Sequence, residues 1–368
     1  MALETLSKKY SGFYAPRFEV SIENKKLTAD MSKAIIDVSV VEKMDQVAGF
    51  SMTIHDGFDH DKGTFKWLDH PLFAAGNRVT IKMGYSEKLS PLIVGKITRI
   101  ESSFFSGESP TLTVSGEDLS VDTIAAASPE RTFVGEKLSD IVKAIASEMG
   151  LKAEVDDAEK YKEVYRKDNE ECYLGFIQKI KKVTGYELRV EDETLHFTKP
   201  AVEKKHIITL KLGKDIISFN PTFNTSKLVS EVEVRGHNPE DPAKPFIGRA
   251  PAGNEHKQEP GKMTASQLAL KMGKGQKRVI SNAMVSSKKE AEEMAHAELN
   301  NSGDALIQGE GECIGLPELR KGVTISLEGM GKLFSGKYSV KTTTHTFNSS
   351  GYRTRFSVTK NAVAKDAK

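Results

Sequence analysis

The sequence predicts a mainly β protein with a small α+β unit in its middle. Three observations lead there. Apolar residues alternate with a period of two through the first third of the chain. The period becomes helical between Gly135 and Gly185. Alternation then returns, and the motifs of the last third follow the same order as those of the first.

In the first third, IIDVSVV (35–41) places Ile36, Val38 and Val40 on one face. FSMTIHD (50–56) does the same with Phe50, Met52 and Ile54. RVTIKMGY (78–85), PLIVGKITRIESSFF (91–105) and PTLTVSGED (110–118) continue the pattern between Gly, Asn, Ser and Pro turns. Short strands at this density imply a closed or sandwiched β-domain.

The middle holds two helices. Leu138, Ile141, Val142, Ile145 and Met149 form one apolar stripe, and Gly150 is placed to stop that helix. A second follows Asp168–Asn169, either of which can cap it. Tyr173, Phe176, Ile177 and Ile180 make its stripe and Gly185 ends it. YELRV (186–190) and TLHFT (194–198) read as a hairpin.

VSEVEVRG (229–236) resumes the alternation. Five of the thirteen prolines then fall in 239–260, too many for the interior of a strand or helix. Residues 239–285 are expected as a loop-rich excursion with a short helix from Thr264 to Lys271. Ser287 and Glu290 form a capping-box pattern for a helix through Ala291, Met294, Ala295 and Leu299. Strands are expected again at 305–315, 322–328, 336–346 and 352–359. The expected divisions are 1–118 (first β-unit), 119–200 (α/β unit), 201–238 with 304–368 (second β-unit), and 239–303 (insertion with helix).

The two β-regions resemble each other. GNRVTIKMG (76–84) matches KGVTISLEG (321–329) around Val-Thr-Ile. A Gly-Lys pair follows in each, at 95–96 and 336–337, then a strand, an aromatic residue, a glycine turn and an alternating strand, TLTV (111–114) or RFSV (355–358). This order implies a duplicated β-domain rather than a solenoid.

Bulk numbers narrow the function classes. At 368 residues, more than one domain is expected. Hydrophobic residues are 38% and charged residues 28%, which gives no case for disorder. A net charge of +2 is low for a general nucleic-acid binder. The N-terminal stretch lacks the apolar core of a signal peptide, and no apolar run reaches the ~18 residues of a membrane span.

Chemical motifs are few. HDGFDHDKGTFKWLDH (55–70) gathers His55, His60 and His70 with Asp56, Asp59, Asp61 and Asp69. These are the ligand types of a catalytic zinc or iron site, so a metal-dependent hydrolase is the alternative reading. The histidine spacings of five and ten share no helix face, and Asp56-Gly57 and Lys62-Gly63 are turn signals, which favours a wet loop. GKLFSGKY (331–338) nearly fits a phosphate loop, but Tyr338 replaces the Mg²⁺-binding hydroxyl and a β-branched strand follows where a helix is needed. Cys172 and Cys313 are expected as buried, inert thiols. KMGKGQKR (271–278) reads as a solvated loop. A carbohydrate-binding β-protein would rely on Trp67 and Tyr85 as surface aromatics. No catalytic, cofactor-binding or metal residue is assigned.

Residues 164–197, VYRKDNEECYLGFIQKIKKVTGYELRVEDETLHF, resemble the signature of the phage late control D family of tail hub proteins. The shared pattern is an acidic lead, a helix of the form FIxxIxxxxGY, and a hairpin closing on L-H/Y-F. The last third resembles the family's closing pattern at Gly315, Pro317, Leu319, Gly322, Gly336, Tyr338, Val340, His345, Gly351, Tyr352, Thr354 and Phe356. The resemblance implies two tandem tail-tube-like β-barrels with the small α/β domain between them. It also implies a homotrimer whose six barrels imitate a hexamer, joining a trimeric spike to a hexameric inner tube among other baseplate proteins. Assembly in the bacterial cytoplasm, as part of a phage-tail-like particle, goes with it. No enzyme activity, cofactor, nucleic acid or membrane span is implied. Type VI secretion spike relatives continue into a needle, whereas this chain ends soon after its last predicted strand, so the spike is expected to be a separate protein. The resemblance makes 55–70 a variable excursion of the first barrel and His345 a structural histidine.

Overall fold

A computed structural model describes residues 3–59, 61–191, 193–200, 206–256, 258–259, 261–273 and 275–365. Thirteen of its strands form one sheet. Seven come from the first third: β1 (Pro16–Ile22), β2 (Lys25–Lys26), β3 (Ile35–Lys43), β4 (Gly49–His55), β5 (Arg78–Tyr85), β6 (Lys88–Ser103) and β7 (Thr111–Asp118). Six come from the C-terminal part: β8 (Ile208–Lys211), β9 (Ile216–Phe223), β10 (Ile307–Ile314), β11 (Thr324–Glu328), β12 (Gly336–Asn348) and β13 (Gly351–Lys360). The hydrogen-bonded order is β9-β10-β13-β12-β3-β4-β7-β6-β5-β1-β2, with β11 beside β12 and β8 beside β11.

The expected barrels therefore need correction. Among the described residues neither β-unit closes on itself by strand pairing; the two are fused edge to edge through β12 and β3. The cause is the length of β12. Its first residues, Gly336–Ser339, pair with β11, while Thr342–Phe347 pair with β3. Lys341 is bulged out of the β12–β13 ladder at the point where the partner changes. A bulge adds local twist, which lets one strand serve two neighbours.

The duplication holds strand by strand. The first unit runs β3-β4-β7-β6-β5-β1 and the second β9-β10-β13-β12-β11-β8. The irregularities repeat as well. Ile36 in β3 and Ile217 in β9 are both skipped by their ladders, as are Thr98 in β6 and Lys341 in β12. The amide of Gly76 donates to Ile97 O, and that of Gly322 to Val340 O. These registers align Gly76 with Gly322, Ile97 with Val340 and Ser115 with Ser357. The letter matches in the sequence are each displaced by two residues from this alignment. A shift of two keeps every side chain on its own face, so alternation cannot detect it. The units differ in one strand: β1 runs antiparallel to β5, whereas β8 runs parallel to β11.

Ile36 was expected inside with Val38 and Val40. Its bulge turns it outward to 46% exposure, and the buried face of β3 continues instead to Glu42. One apolar core serves both β-units, from Leu6 through Phe50, Met52 and Ile81 to Leu327, Tyr338 and Val358.

The α/β unit has its own core, with helices α1 (Leu138–Glu148) and α2 (Tyr173–Thr184) packed on the strands Glu187–Glu191 and Thr194–Thr198. Gly185 ends α2 in the left-handed region, as its sequence position implied. The cap at the other end is Cys172, not Asp168 or Asn169: its Sγ accepts from Gly175 N.

The stretch 239–285 is more ordered than its prolines suggest. Strands Phe246–Pro251 and Lys277–Ala283 flank Glu231–Gly236, which was expected in the second β-unit. Helix α3 (Ala265–Lys271) carries the full capping box of Thr264 with Gln267. Helix α4 (Lys288–Gly303) packs on the three strands, where Val232, Val234, Ala291, Ala295 and Leu299 form a third core. Glu290 of α4 accepts from Ser286 N, one residue before the expected partner. No helix among the described residues is long and apolar enough to cross a membrane.

Candidate functional site

The loop joining β10 to β11, GLPELRKG (315–322), sits in the seam between the two β-units. Glycine opens it and glycine closes it. Gly315 passes against the Tyr352 ring so closely that a Cβ there would lie 2.1 Å from it, and Gly322 has φ +75°. Leu316 and Leu319 point into the shared core. The polar residues between them reach both units.

Arg320 makes the central contact. Its Nε donates to Glu42 Oε2 at 2.6 Å and a terminal nitrogen to Glu42 Oε1 at 2.7 Å. The same guanidinium donates to the carbonyls of Leu92 (2.9 Å) and Pro91 (3.3 Å) on β6. Glu42 is 1% exposed, and Thr343 Oγ1 of β12 donates to it at 3.1 Å. Burial alone would raise the Glu42 carboxyl pKa, but its hydrogen bonds and charge pairing with Arg320 prevail and hold it below the ordinary range. One carboxylate thus ties β3, β12, the loop and, through the guanidinium, β6. Beside it, Lys321 is buried, and its Nζ donates to Gln46 O at 3.4 Å.

His345 lies behind this pair, fully buried on β12. One ring nitrogen, Nε2, faces Leu319 O at 3.1 Å, and a carbonyl only accepts, so Nε2 carries the hydrogen. Nδ1 then accepts from Tyr352 Oη at 2.9 Å, with Thr354 Oγ1 at 3.2 Å. Thr354 Oγ1 in turn accepts from Leu316 N. Burial pushes the His345 pKa down to about 4, so the ring is neutral and serves to hold the loop. The opposite side is pinned by Tyr85, whose hydroxyl donates to Gly315 O, and by Tyr10 and Lys9, which both donate to Glu318. The arrangement presents no open substrate position beside an activated nucleophile. What it can do is lock two β-units in one relative position.

A cleft of about 440 Å³ opens next to the joint, between β6 and the α/β unit, lined by Leu92, Val94, Leu119, Met149, Leu151 and Arg320 among others. Its walls are mostly aliphatic; among its charged lining residues, which also include Asp118, Glu191 and Glu193, Glu42 and Arg320 are paired with each other.

The residues of 55–70 serve the loop's own backbone. Asp56 is buried and accepts from Trp67 N (2.8 Å) and Leu68 N (3.1 Å). Asp59 accepts from Asp61 N and Lys62 N, and Asp69 from Phe65 N. His70 Nδ1 accepts from Leu72 N, capping a short turn of helix. His55 is exposed, and His60 lies outside the described residues. Among the described residues no group of three or more His, Cys, Asp or Glu side chains is gathered as a metal site.

The other motifs resolve similarly. GKLFSGKY forms a four-residue helix and then enters β12, so no helix follows its lysine. Lys277, in the Lys-rich stretch, starts a strand and pairs with the buried Glu233. Cys313 is buried and its thiol pKa is raised by that burial, as expected, but Cys172 is half-exposed at its helix cap. Trp67 and Tyr85 are buried, so neither is the surface aromatic that a carbohydrate-binding reading requires. The Arg320–Glu42 pair escaped the sequence reading. The signal was a glutamate continuing the inward face Val38–Val40, together with an Arg-Lys pair inside the Gly-x-Pro-x-Leu-x-x-Gly pattern.

A family model described as the Alg8 N-terminal domain matches residues 15–349. The chain belongs to that family. No curated protein matches it. Solved structures share its fold. A 43 kDa tail protein of prophage MuSo2 from Shewanella oneidensis superposes with a TM-score of 0.68 at 16% identity, covering 94% of this chain and 98% of that one. A tail protein from Neisseria meningitidis MC58 gives 0.67 at 12% identity, covering 95% and 98%. A chain of the Francisella PdpA–VgrG complex gives 0.55 at 9% identity, covering 100% of this chain and 56% of that one. The phage tail-protein fold implied by the late control D resemblance is thus present.

Proposed function

We propose that this protein is a structural hub of a contractile tail or injection-system baseplate. It acts as a homotrimer that joins a trimeric spike to the hexameric inner tube and starts tube assembly. The observation that carries the reading is the duplication: one chain presents two equivalent six-strand units, so three chains present six. A threefold ring of such chains meets a sixfold tube on one face and a threefold spike on the other. The seam built on Glu42 and Arg320 supports it, because symmetry matching needs the two units held in a fixed relation. The tail-protein fold of its structural neighbours supports it as well.

In this reading residues 1–118 and the C-terminal strands supply the ring. The protein assembles in the bacterial cytoplasm into a phage-tail-like particle and performs no catalysis. Against a metal-dependent hydrolase, the carboxylates of Asp56, Asp59 and Asp69 are engaged by backbone amides.

Electron-microscopy class averages of the purified oligomer, viewed down its axis, test the proposal. Six similar lobes around a central opening are expected. A compact particle with two or four lobes contradicts it.

A further inference from the structure

Among the described residues the chain contains one copy of a joint that its own duplication calls for twice. In the joint that is present, Thr342–Phe347 of β12 pairs with Val38–Lys43 of β3, in the register Phe347↔Val38, Thr346↔Ser39, Thr344↔Val41 and Thr342↔Lys43. By the ladder registers, β6 is the counterpart of β12, with Thr342–Phe347 falling on 99–104, and β9 is the counterpart of β3, with Val38–Lys43 falling on 219–224. β9 ends the strand order in the second unit, and in the first unit the second half of β6 extends past its pairing with β5.

Both have a vacant edge. Beyond Ile97, β6 pairs only with β7 among the described residues, although its first half pairs with β5 on the other side. In β12 the same vacant side is where β3 sits. β9 pairs only with β10, and its other edge, where β3 would meet β12, carries no strand among the described residues.

Burial follows the same logic. Thr343 of the filled joint is fully buried, whereas its counterpart Ile100 is 38% exposed. Phe347 packs against Phe18 with centroids 4.7 Å apart and the rings tilted by 57°, whereas its counterpart Phe104, although its ring lies 5.1 Å from that of Phe65, is 59% exposed. Large apolar side chains on an open strand edge are what chains ordinarily avoid unless the edge is meant to be covered.

We infer that the subunit interface is this second joint: β6 of one chain pairs antiparallel with β9 of the next, with Ser103 opposite Asn220, Glu101 opposite Thr222 and Arg99 opposite Asn224. The contact is head-to-tail, because the two edges belong to different units. Repeating it alternates first and second units and closes a ring when the rotation allows. Pro221 lies within the edge and donates no amide hydrogen, so the ladder is interrupted there. That interruption limits the edge to a partner with matching register. The inference rests on the hub reading and adds to it the strands and register through which chains meet.

Cysteine cross-linking tests it. In a Cys172→Ser background, Ser103→Cys with Asn220→Cys should oxidise to a covalent species of three chains. Chains carrying only Ser103→Cys, mixed with chains carrying only Asn220→Cys, should stop at covalent dimers. Ser39→Cys with Thr346→Cys places the same pair in the joint already present, and its closure within one chain calibrates the oxidation. Ile100→Asp, at an exposed site, should weaken assembly by at least about tenfold without unfolding the monomer. If the calibrating pair closes and light scattering shows a trimer, yet Ser103/Asn220 does not cross-link and Ile100→Asp assembles normally, the interface is wrong while the hub reading stands. If the chain is monomeric even with spike and tube proteins, both fail.

Discussion

Replacing Arg320 by alanine should destabilise the protein by about 3 kcal/mol. The estimate starts from Glu42, which is 1% exposed and bonded to Arg320 by both carboxylate oxygens at 2.6 and 2.7 Å. Without the guanidinium, the only neighbour seen donating to the carboxylate is the Thr343 hydroxyl. Breaking one partner out of a buried ion pair costs roughly 3–5 kcal/mol, because a charge stays behind without compensation. The Arg320 side chain is 21% exposed, so water can enter the gap and the lower end applies. Removing both charges should be far milder: Glu42→Leu with Arg320→Met should recover most of the loss, since a matched apolar pair often replaces a buried ion pair at little cost. The assay is urea unfolding at pH 7 followed by circular dichroism, as a double-mutant cycle. The pH dependence has a definite sign. The native Glu42 pKa is depressed, so its contribution is present above the ordinary glutamate range. It is lost as pH falls through the lower native value. Glu42→Gln should remove that acid-side slope. An Arg320→Ala protein within about 1 kcal/mol of wild type, or a double variant no better than the single, would refute the idea that this pair locks the seam.

Further outcomes follow from other contacts. His345 is held neutral with a native pKa of about 4, so it contributes stability above the unfolded value of about 6.5 that is lost as pH falls toward 4, to a limit of roughly 3 kcal/mol; urea midpoints of wild type and His345→Gln, compared at pH 7.5 and 5, should show a smaller pH dependence for the variant. Gly322→Ala should cost about 1–2 kcal/mol, because φ is +75° there, and a thermal melt checks it. Gly336→Ala should cost more, because φ there is +135°, farther from any basin that an L-residue adopts. Asp56→Ala should loosen the 55–70 loop and red-shift emission from Trp67, the only tryptophan, whereas His55→Ala and added EDTA should leave emission unchanged; a shift with EDTA would revive a metal in that loop.

The strands were legible where alternation was clean. Phe50, Met52 and Ile54 point inward as their spacing requires. The helices were legible from stripes and stops, to within a few residues at their starts. The duplication was visible in the order of motifs but not in register, because a two-residue slip leaves the inward and outward faces unchanged. The fusion of the units was not visible. It depends on β12 serving two partners and on a bulge at Lys341, and nothing in the letters KYSVKTTTHTF marks where a strand changes neighbours. The insertion misled for a local reason. Its prolines 239, 242 and 245 cluster in the turn between two strands, and the strand from Phe246 ends at Pro251. Of the joint, Gly315, Leu319, Gly322 and His345 were picked out through the family pattern, but the charges they position were not. A buried glutamate is recognisable only when its cation is known to reach it across about 280 residues of chain.

A hub of this kind requires three chains to form one ring. Light scattering of the purified chain, alone and with a candidate spike protein, measures this directly. A species of three chain masses, alone or bearing a spike trimer, is predicted. A strictly monomeric chain that ignores both the spike and tube proteins would contradict it.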